Sequence, residues 1–396
     1  MKKILFYRYG NICEPDLIEC FARAGLDVTE ERTQITKKDT SASETVETVS
    51  GLLRAESYLF VFSINFFPAV SETCRIFGLP YVCWTVDCPV MELWSDALRN
   101  DCNRVFFFDR VQYETFSPRM PTGCAFHLPL ATNPDRWDDV IANAGETGLS
   151  AFRQEISFVG SLYSEKNRFR SVRESLRDYT KGYLEAVTQA QSRIYGCSLP
   201  EGLLTPDIVR EFAEADPALQ GPLYADNEQA KRAYITQMLP DWEITETERT
   251  RLLTKLHERC GVALYTHSDV PAGSSLRTLP GVKTLTEMPL VFHESKINLN
   301  ITMRAIKSGL PLRVYDICGA GGFLLTNYQE ELAEQYVIGE EVECFLSEEE
   351  MLDKASWYLA HPEERARIAR KGYERTRAEH TYYHRMHAMM ERLVNA

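Results

Sequence analysis

Short apolar runs alternate with helix-patterned segments along this chain, and the alternation begins twice; no other feature of the sequence restricts the fold as much. The first series opens at Ile4-Leu5-Phe6-Tyr7, read as a central strand. Leu17, Ile18, Phe21 and Ala24 follow with helical spacing, and Gly25 is a plausible stop. Further helices are expected over residues 45–54 and 70–77, and strands over 58–64, 81–86, 105–108 and 126–131. Runs this continuously apolar suit parallel strands covered on both faces. A weakly patterned stretch, residues 132–150, precedes the second series, and a lobe boundary is placed at its end, giving domains 1–148 and 149–375. The second series starts at 156–161 and resumes at 262–265, 297–301, 314–315 and 323–325. Between residues 166 and 260 the chain is rich in Glu, Arg, Ala and Leu and reads as helices alone. Ser347 with Glu350 three residues later is a capping box for a helix over 348–360, and a polar helix is expected over 362–393. The pattern implies an α/β protein of two Rossmann-like lobes facing a cleft, with ligands beyond the carboxyl ends of the strands.

Bulk properties narrow the function. A length of 396 residues suits two domains that each bury a core. The net charge of −13 argues against nucleic acid as the principal partner, while a small phosphate-bearing ligand needs only a few local cations and amide groups. The apolar run behind Lys2-Lys3 stops at Arg8, too short for a signal-peptide core, and no stretch reaches the ~20 apolar residues of a membrane span. The 11 cysteines are scattered and form no C-x-x-C pair, which suggests a reducing, cytoplasmic setting.

The chemistry is concentrated in residues 296–328, KINLNITMRAIKSGLPLRVYDICGAGGFLLTNY. A strand or turn leads to a helix ending at Ser308-Gly309; a turn at Leu310-Pro311 then enters a short helix containing Asp316, and Gly319, Ala320, Gly321 and Gly322 feed the apolar strand. Glycines allow close backbone approach to a ligand, a helix N-terminus offers amides to a diphosphate, and a carboxylate can accept from a ribose diol. The same glycines could instead simply cap a helix and turn into a strand. Arg304 and Lys307 lie inside the run and are candidates to neutralise a departing diphosphate. Arg313 could act likewise or brace Asp316. Gly160 and Ser161 follow the first strand of the second series, ahead of Lys166, Arg168 and Arg170. His267 follows the strand ending at Tyr265, and Asn300 ends the run 297–301. In the first series Asp87 stands at a strand end before Pro89, either as general base toward an acceptor hydroxyl or as a cap; Asn65 and Asp109 carry the same two readings. His380, His384 and His387 share a helical face, yet no H-E-x-x-H pattern accompanies them, and no metal site is expected.

The pattern K-I-N-L-N-x-T-x-R, S-G-x-P-x-R-x-D and G-A-G-G-F-L-L-T-N resembles the C-terminal domain of CgeB-like (spore maturation protein-like) glycosyltransferases. Residues 64–67, 84–89 and 107–109 resemble the N-terminal domain often joined to it, and 156–163 also fits. The resemblance implies a GT-B glycosyltransferase fold with a helical insertion in the C-terminal lobe and a terminal helix, 376–396, returning to the first lobe. It implies a hexosyltransferase that moves a sugar from a nucleotide-sugar donor, a UDP-sugar, to an acceptor glycan, protein or small molecule, in bacterial cell-surface, spore or protein glycosylation. No tightly bound cofactor or metal is expected. Gly160, Ser161, His267, Asn300, Asp316 and residues 319–322 would serve the donor; Asp87, Arg304 and Lys307 would serve the chemistry. Related retaining enzymes use two glutamates eight positions apart; here Asp316 holds the second position and Ser308 the first, so the acidic pair is incomplete. A sugar-nucleotide epimerase, or a non-catalytic nucleotide-binding or scaffold protein, would fit the same fold. No G-x-x-x-x-G-K-[ST] or G-x-S-x-G motif supports a P-loop enzyme or a hydrolase.

Overall fold

The apolar runs form the centres of two six-stranded sheets, and among the described residues neighbouring strands in each are parallel. In the computed structural model, which describes residues 2–37, 40–165, 167, 169–270 and 273–394, the first sheet holds β1 (Lys2–Tyr7), β2 (Leu26–Glu31), β3 (Val61–Ile64), β4 (Tyr81–Trp84), β5 (Asn103–Phe107) and β6 (Ala125–His127). Its order is β2-β1-β3-β4-β5-β6. The second holds β7 (Gln154–Val159), β8 (Ala263–Thr266), β9 (Arg277–Pro280), β10 (Ser295–Asn300), β11 (Leu324–Asn327) and β12 (Glu343–Phe345), ordered β12-β11-β10-β7-β8-β9. Two compact units result: Met1–Leu130 with Tyr382–Ala396, and Ala131–Thr381.

In the first unit every residue of β3 and β4 is buried, as a strand covered on both faces requires. Leu5, Val61, Val70, Cys83 and Phe107 share one core cluster, and on the other face Phe6 meets Phe62 at 4.9 Å. Burying side chains of this kind contributes about 1.5–3 kcal/mol each. In the second unit Ile156, Phe158, Leu264, Ile297 and Leu325 pack with Leu252 and Met351. The helix Tyr382–Val394 belongs to the first unit: it packs on the helix Glu14–Arg23, Arg385 Nε donates to Pro129 O at 2.8 Å, and the Tyr382 ring meets Trp84.

Several elements differ from the expectation for identifiable reasons. β2 (LDVTEE) and β9 (RTLP) carry little apolar signal because they stand at sheet edges, where only part of a strand is covered, and β12 (ECF), though buried, is only three residues long and opens on a glutamate. Residues 314–315 are helix, within Leu312–Gly319. The weakly patterned stretch 132–150 contains the helix Pro134–Ser150, capped by Asn133, which accepts from Arg136 N. Its pattern is faint because few of its residues beyond Trp137 are buried, and Gly145 (φ 60°) interrupts it. The polar helix expected over 362–393 is two, Pro362–Glu379 and Tyr382–Val394, broken where Thr132 N donates to His380 O at 3.1 Å and Thr132 bridges to Thr381. His380 itself is buried against Tyr315 and Tyr336, and its Nε2 donates to Gln335 O. Helix Glu348–Ala360 matches its expected span, and Ser347 accepts from Glu350 N, but the Glu350 carboxylate returns to Leu346 N instead of Ser347.

Candidate functional site

In the second unit β8 and β9 lie to one side of β7 and β10 to the other, so the winding reverses between β7 and β10. Open α/β sheets bind ligands just beyond the carboxyl ends of strands at such a point. Gly160 and Ser161 leave β7 there, and Ile301 leaves β10. The loop after β7 is tied to that after β8: Ser161 Oγ donates to Glu165, accepts from Tyr163 N at 2.7 Å and from Ser268 Oγ at 3.2 Å, while Leu162 N donates to Ser268 Oγ at 2.8 Å. Tyr163 has a left-handed backbone, φ 69°.

Arg249 bridges this reversal point. It projects from the helix Leu239–Cys260; Nε donates to Ile301 O at 3.1 Å and Nη1 to Ser161 O, one carbonyl on each side. The rings of Phe158 and Tyr163 lie 5.3 and 5.0 Å from its guanidinium carbon. The residue is buried, and among the described residues no carboxylate stands within ion-pair distance of it. Burial holds its pKa below the usual arginine value. A second guanidinium comes from Arg313, on the helix Leu312–Gly319, packed over Phe292 and 3.9 Å from Asp316 Oδ2. Burial lowers its pKa, Asp316 opposes that, and the Arg249 charge adds to the lowering, which marks the two cations as electrostatic neighbours. Two guanidiniums with one carboxylate leave positive charge at the edge where a diphosphate would be held. Arg249 carried no signal in the sequence, because it is one of many charged residues in a helical interval without a motif.

The other expected residues are distributed as follows. Asp316 is 5% exposed, and its Oδ1 accepts from Thr132 Oγ1 at 2.7 Å, which in turn accepts from Trp137 Nε1 at 2.7 Å. Gly319, Ala320, Gly321 and Gly322 are not brought to the carboxyl edge. They precede β11 and so lie at the opposite, amino edge of the parallel sheet. Packing accounts for them: a Cβ on Gly319 would stand 2.7 Å from Thr132 Cγ2, one on Gly322 2.5 Å from Phe292 O, and Gly321 closes the helix at φ 74°. Asn300 is buried and stitches strand ends together, its Nδ2 donating to Thr302 and Thr326 hydroxyls. His267 is exposed, with its ring against Gly281. Arg304 and Lys307 are counter-ioned by the helical interval: Arg304 makes a bidentate pair with the fully buried Glu248, both contacts 2.7 Å, and Lys307 Nζ donates to Asp241 at 2.9 Å. Their charges anchor the helix Leu239–Cys260 to the loop after β10. Ser308 Oγ donates to the buried Glu331 carboxylate at 2.7 Å. Of the basic residues after Ser161, Lys166 and Arg168 lie outside the described residues, and Arg170 pairs with Glu246.

In the first unit the winding reverses between β1 and β3. Asp87 is exposed beyond β4, and its Oδ2 accepts from Asn65 Nδ2 at 2.6 Å. The same Nδ2 donates to Tyr9 Oη at 2.8 Å, and Asn65 Oδ1 accepts from Val86 N and Asp87 N. Asn65 takes this position with φ 57°. Asp87 caps no described helix, whereas Asp109 does: it is buried and accepts from Gln112 N at the start of Arg110–Phe116. Among the described residues no group of three or more His, Cys, Asp or Glu could hold a metal ion, and no helix is long and apolar enough to cross a membrane.

Residues 249–391 match the model of a family described as glycosyl transferase-like; the match begins at Arg249 and contains Arg313 and Asp316. No curated protein matches the chain. Among solved structures it is similar to a glycosyltransferase from Rickettsia africae (9% identity, TM-score 0.54, covering 100% of this chain and 99% of that one). It is also similar to sucrose-phosphate synthase from Thermosynechococcus elongatus (12%, 0.54, all of both chains). The Anabaena protein HepE, solved with UDP-glucose, is a third (11%, 0.55, 100% of both chains). Identities this low speak to architecture, and the two wound parallel sheets are those of the GT-B glycosyltransferase fold.

Proposed function

We propose that this chain is a glycosyltransferase that takes its sugar from a uridine diphosphate donor bound at the carboxyl edge of the second sheet. The observation that carries the reading is the pair Arg249 and Arg313 at the β7–β10 reversal, one of them buried without a carboxylate partner among the described residues. A buried cation of this kind is costly unless an anion completes it. The diphosphate supplies that anion, and the guanidiniums offset the charge that grows on it as the glycosidic bond to phosphorus-bound oxygen breaks. Gly160 and Ser161 offer backbone to the phosphates, Asp316 serves the ribose and His267 the base side. The acceptor hydroxyl approaches the anomeric carbon on the face the diphosphate leaves, its oxygen bonds to that carbon as the bond to the diphosphate oxygen breaks, and Asp87 receives its proton. The family match over residues 249–391 and the UDP and UDP-glucose complexes of HepE support this reading, the resemblance to CgeB-like enzymes supports a hexose donor and retention at the anomeric carbon, and the scattered cysteines support a cytoplasmic setting.

The test is donor turnover with a panel of nucleotide sugars, alongside calorimetry with UDP. Binding of UDP and slow acceptor-free release of sugar from one donor are expected. An epimerase would convert the sugar nucleotide without releasing it, and a chain that binds no nucleotide has lost the proposal.

A further inference from the structure

The carboxyl edge of the first sheet indicates the class of acceptor, an inference that rests on the transferase reading. The turn after β1, at the β1–β3 reversal, is where a wound α/β unit presents amides to an anion. Here the chain fills that cradle itself. Tyr9 N and Gly10 N donate to Glu14 Oε1 at 2.9 and 3.0 Å, Arg8 Nε donates to Glu14 Oε2 at 2.8 Å, and Glu14 is 0% exposed. The other positive charge at this end of β1 and β2 is also taken: Arg8 pairs with Glu30 as well, and Arg32 donates to the same carboxylate at 2.7 and 2.9 Å. Oxygen acceptors remain. Asp87 is exposed and oriented by Asn65. At the end of β2, Glu31 is 4% exposed and lines a depression of about 610 Å³ with Thr33, Glu47 and Thr48. Its Oε2 has no hydrogen-bond partner among the described residues, although its Oε1 accepts from Thr33 N. A buried acceptor left unpaired is costly, and a hydroxyl donor would complete it.

We infer that the acceptor group received at this edge is an uncharged, hydroxyl-rich moiety, and that phosphorylated groups are turned away by the Glu14 carboxylate seated where an anion would bind. The full chain labelled with ¹⁵N-glycine is titrated with inorganic phosphate and with glucose 6-phosphate while the Gly10 amide resonance is followed, a probe local to the cradle and independent of the second unit. In the wild type the resonance should stay in place. In Glu14→Ala, which vacates the two amides and frees Arg8 Nε while Arg8 Nη1 keeps Glu30, it should move saturably, with phosphate affinity raised on the order of tenfold, the effect of one charge-assisted contact. Saturable movement in the wild type overturns the inference, as does a folded variant whose Gly10 ignores phosphate. If the variant does not fold, the wild-type titration still decides. Transfer to neutral glycans but not to their phosphorylated counterparts is the second expected result, and preferential product on the phosphorylated set overturns it. UDP calorimetry is read separately, so a failure there removes the transferase reading while the Gly10 result stands.

Discussion

Arg313 and Arg249 contribute differently, and substitution separates them. Arg313→Ala removes one cation whose backbone role is slight, so UDP affinity should fall about ten- to a hundredfold, from roughly 1.5–3 kcal/mol for hydrogen bonds to a charged group, with little change in melting temperature. Arg249→Ala removes both the cation and the brace across Ser161 O and Ile301 O, so it should cost UDP affinity and also lower the melting temperature. If calorimetry shows unchanged UDP binding in both variants, the diphosphate does not lie at this edge. Asp87→Asn should slow transfer and leave UDP binding alone; full activity would return Asp87 to the service of Asn65 and route the acceptor proton to the departing phosphate. The run 296–328 was legible as special, but its residues serve different ends of the sheet. Glycines before β11 signal close packing just as strongly as they signal a ligand, and only the strand direction tells which. Arg304 and Lys307 illustrate the same limit: a lone cation looks available until its counter-ion arrives from a distant segment, here Glu248 and Asp241.

At the scale of elements, the helical interval is held by charge as well as by apolar contact. Removing Glu248 strands Arg304, whose pair is almost wholly buried, and breaking such a pair costs about 3–5 kcal/mol. Glu248→Ala should therefore lower the melting temperature sharply, and the double variant Glu248→Met/Arg304→Met should recover much of the loss. Within the interval, Glu211 accepts from Arg177 Nε, from Arg177 N at the start of helix Asp178–Gln191, and from Thr180. These donors, with the Arg177 side chain foremost, hold Glu211 at about 2. A depressed carboxylate stabilises the fold above its unfolded value of 4.5, and that contribution disappears as pH falls toward 2. The tie between Asp178–Gln191 and Pro206–Ala215 should loosen in that window, seen as faster amide exchange, and Glu211→Gln should flatten the dependence. Central strands were readable by their apolar runs; the edge strands β2 and β9 and the helix 134–150 were not, because partial exposure dilutes the periodicity by which such elements are recognised.

For the molecule as a whole, the sequence announced two wound α/β series, and both sheets are present. The sequence reading divides the chain at 148 and returns residues 376–396 to the first lobe, while the compact units are Met1–Leu130 with Tyr382–Ala396 and Ala131–Thr381, bounds set by contacts far apart in sequence. Tyr382, Met386 and Met389 are buried within the first unit, at about 1.5–3 kcal/mol each. Truncation after Thr381 should therefore destabilise the first unit by several kcal/mol, with loss of protection in the helix Glu14–Arg23, while amides of β7, β10 and β11 keep theirs in hydrogen exchange. The same arrangement bears on how the protein is made. A ribosome delivers β1 to β6 early, yet the helix that completes their unit emerges only after the whole of 131–381 has been translated. The six strands of the first unit thus precede the piece that finishes them by about 250 residues, and until it arrives the side of Glu14–Arg23 that receives it stays open to solvent.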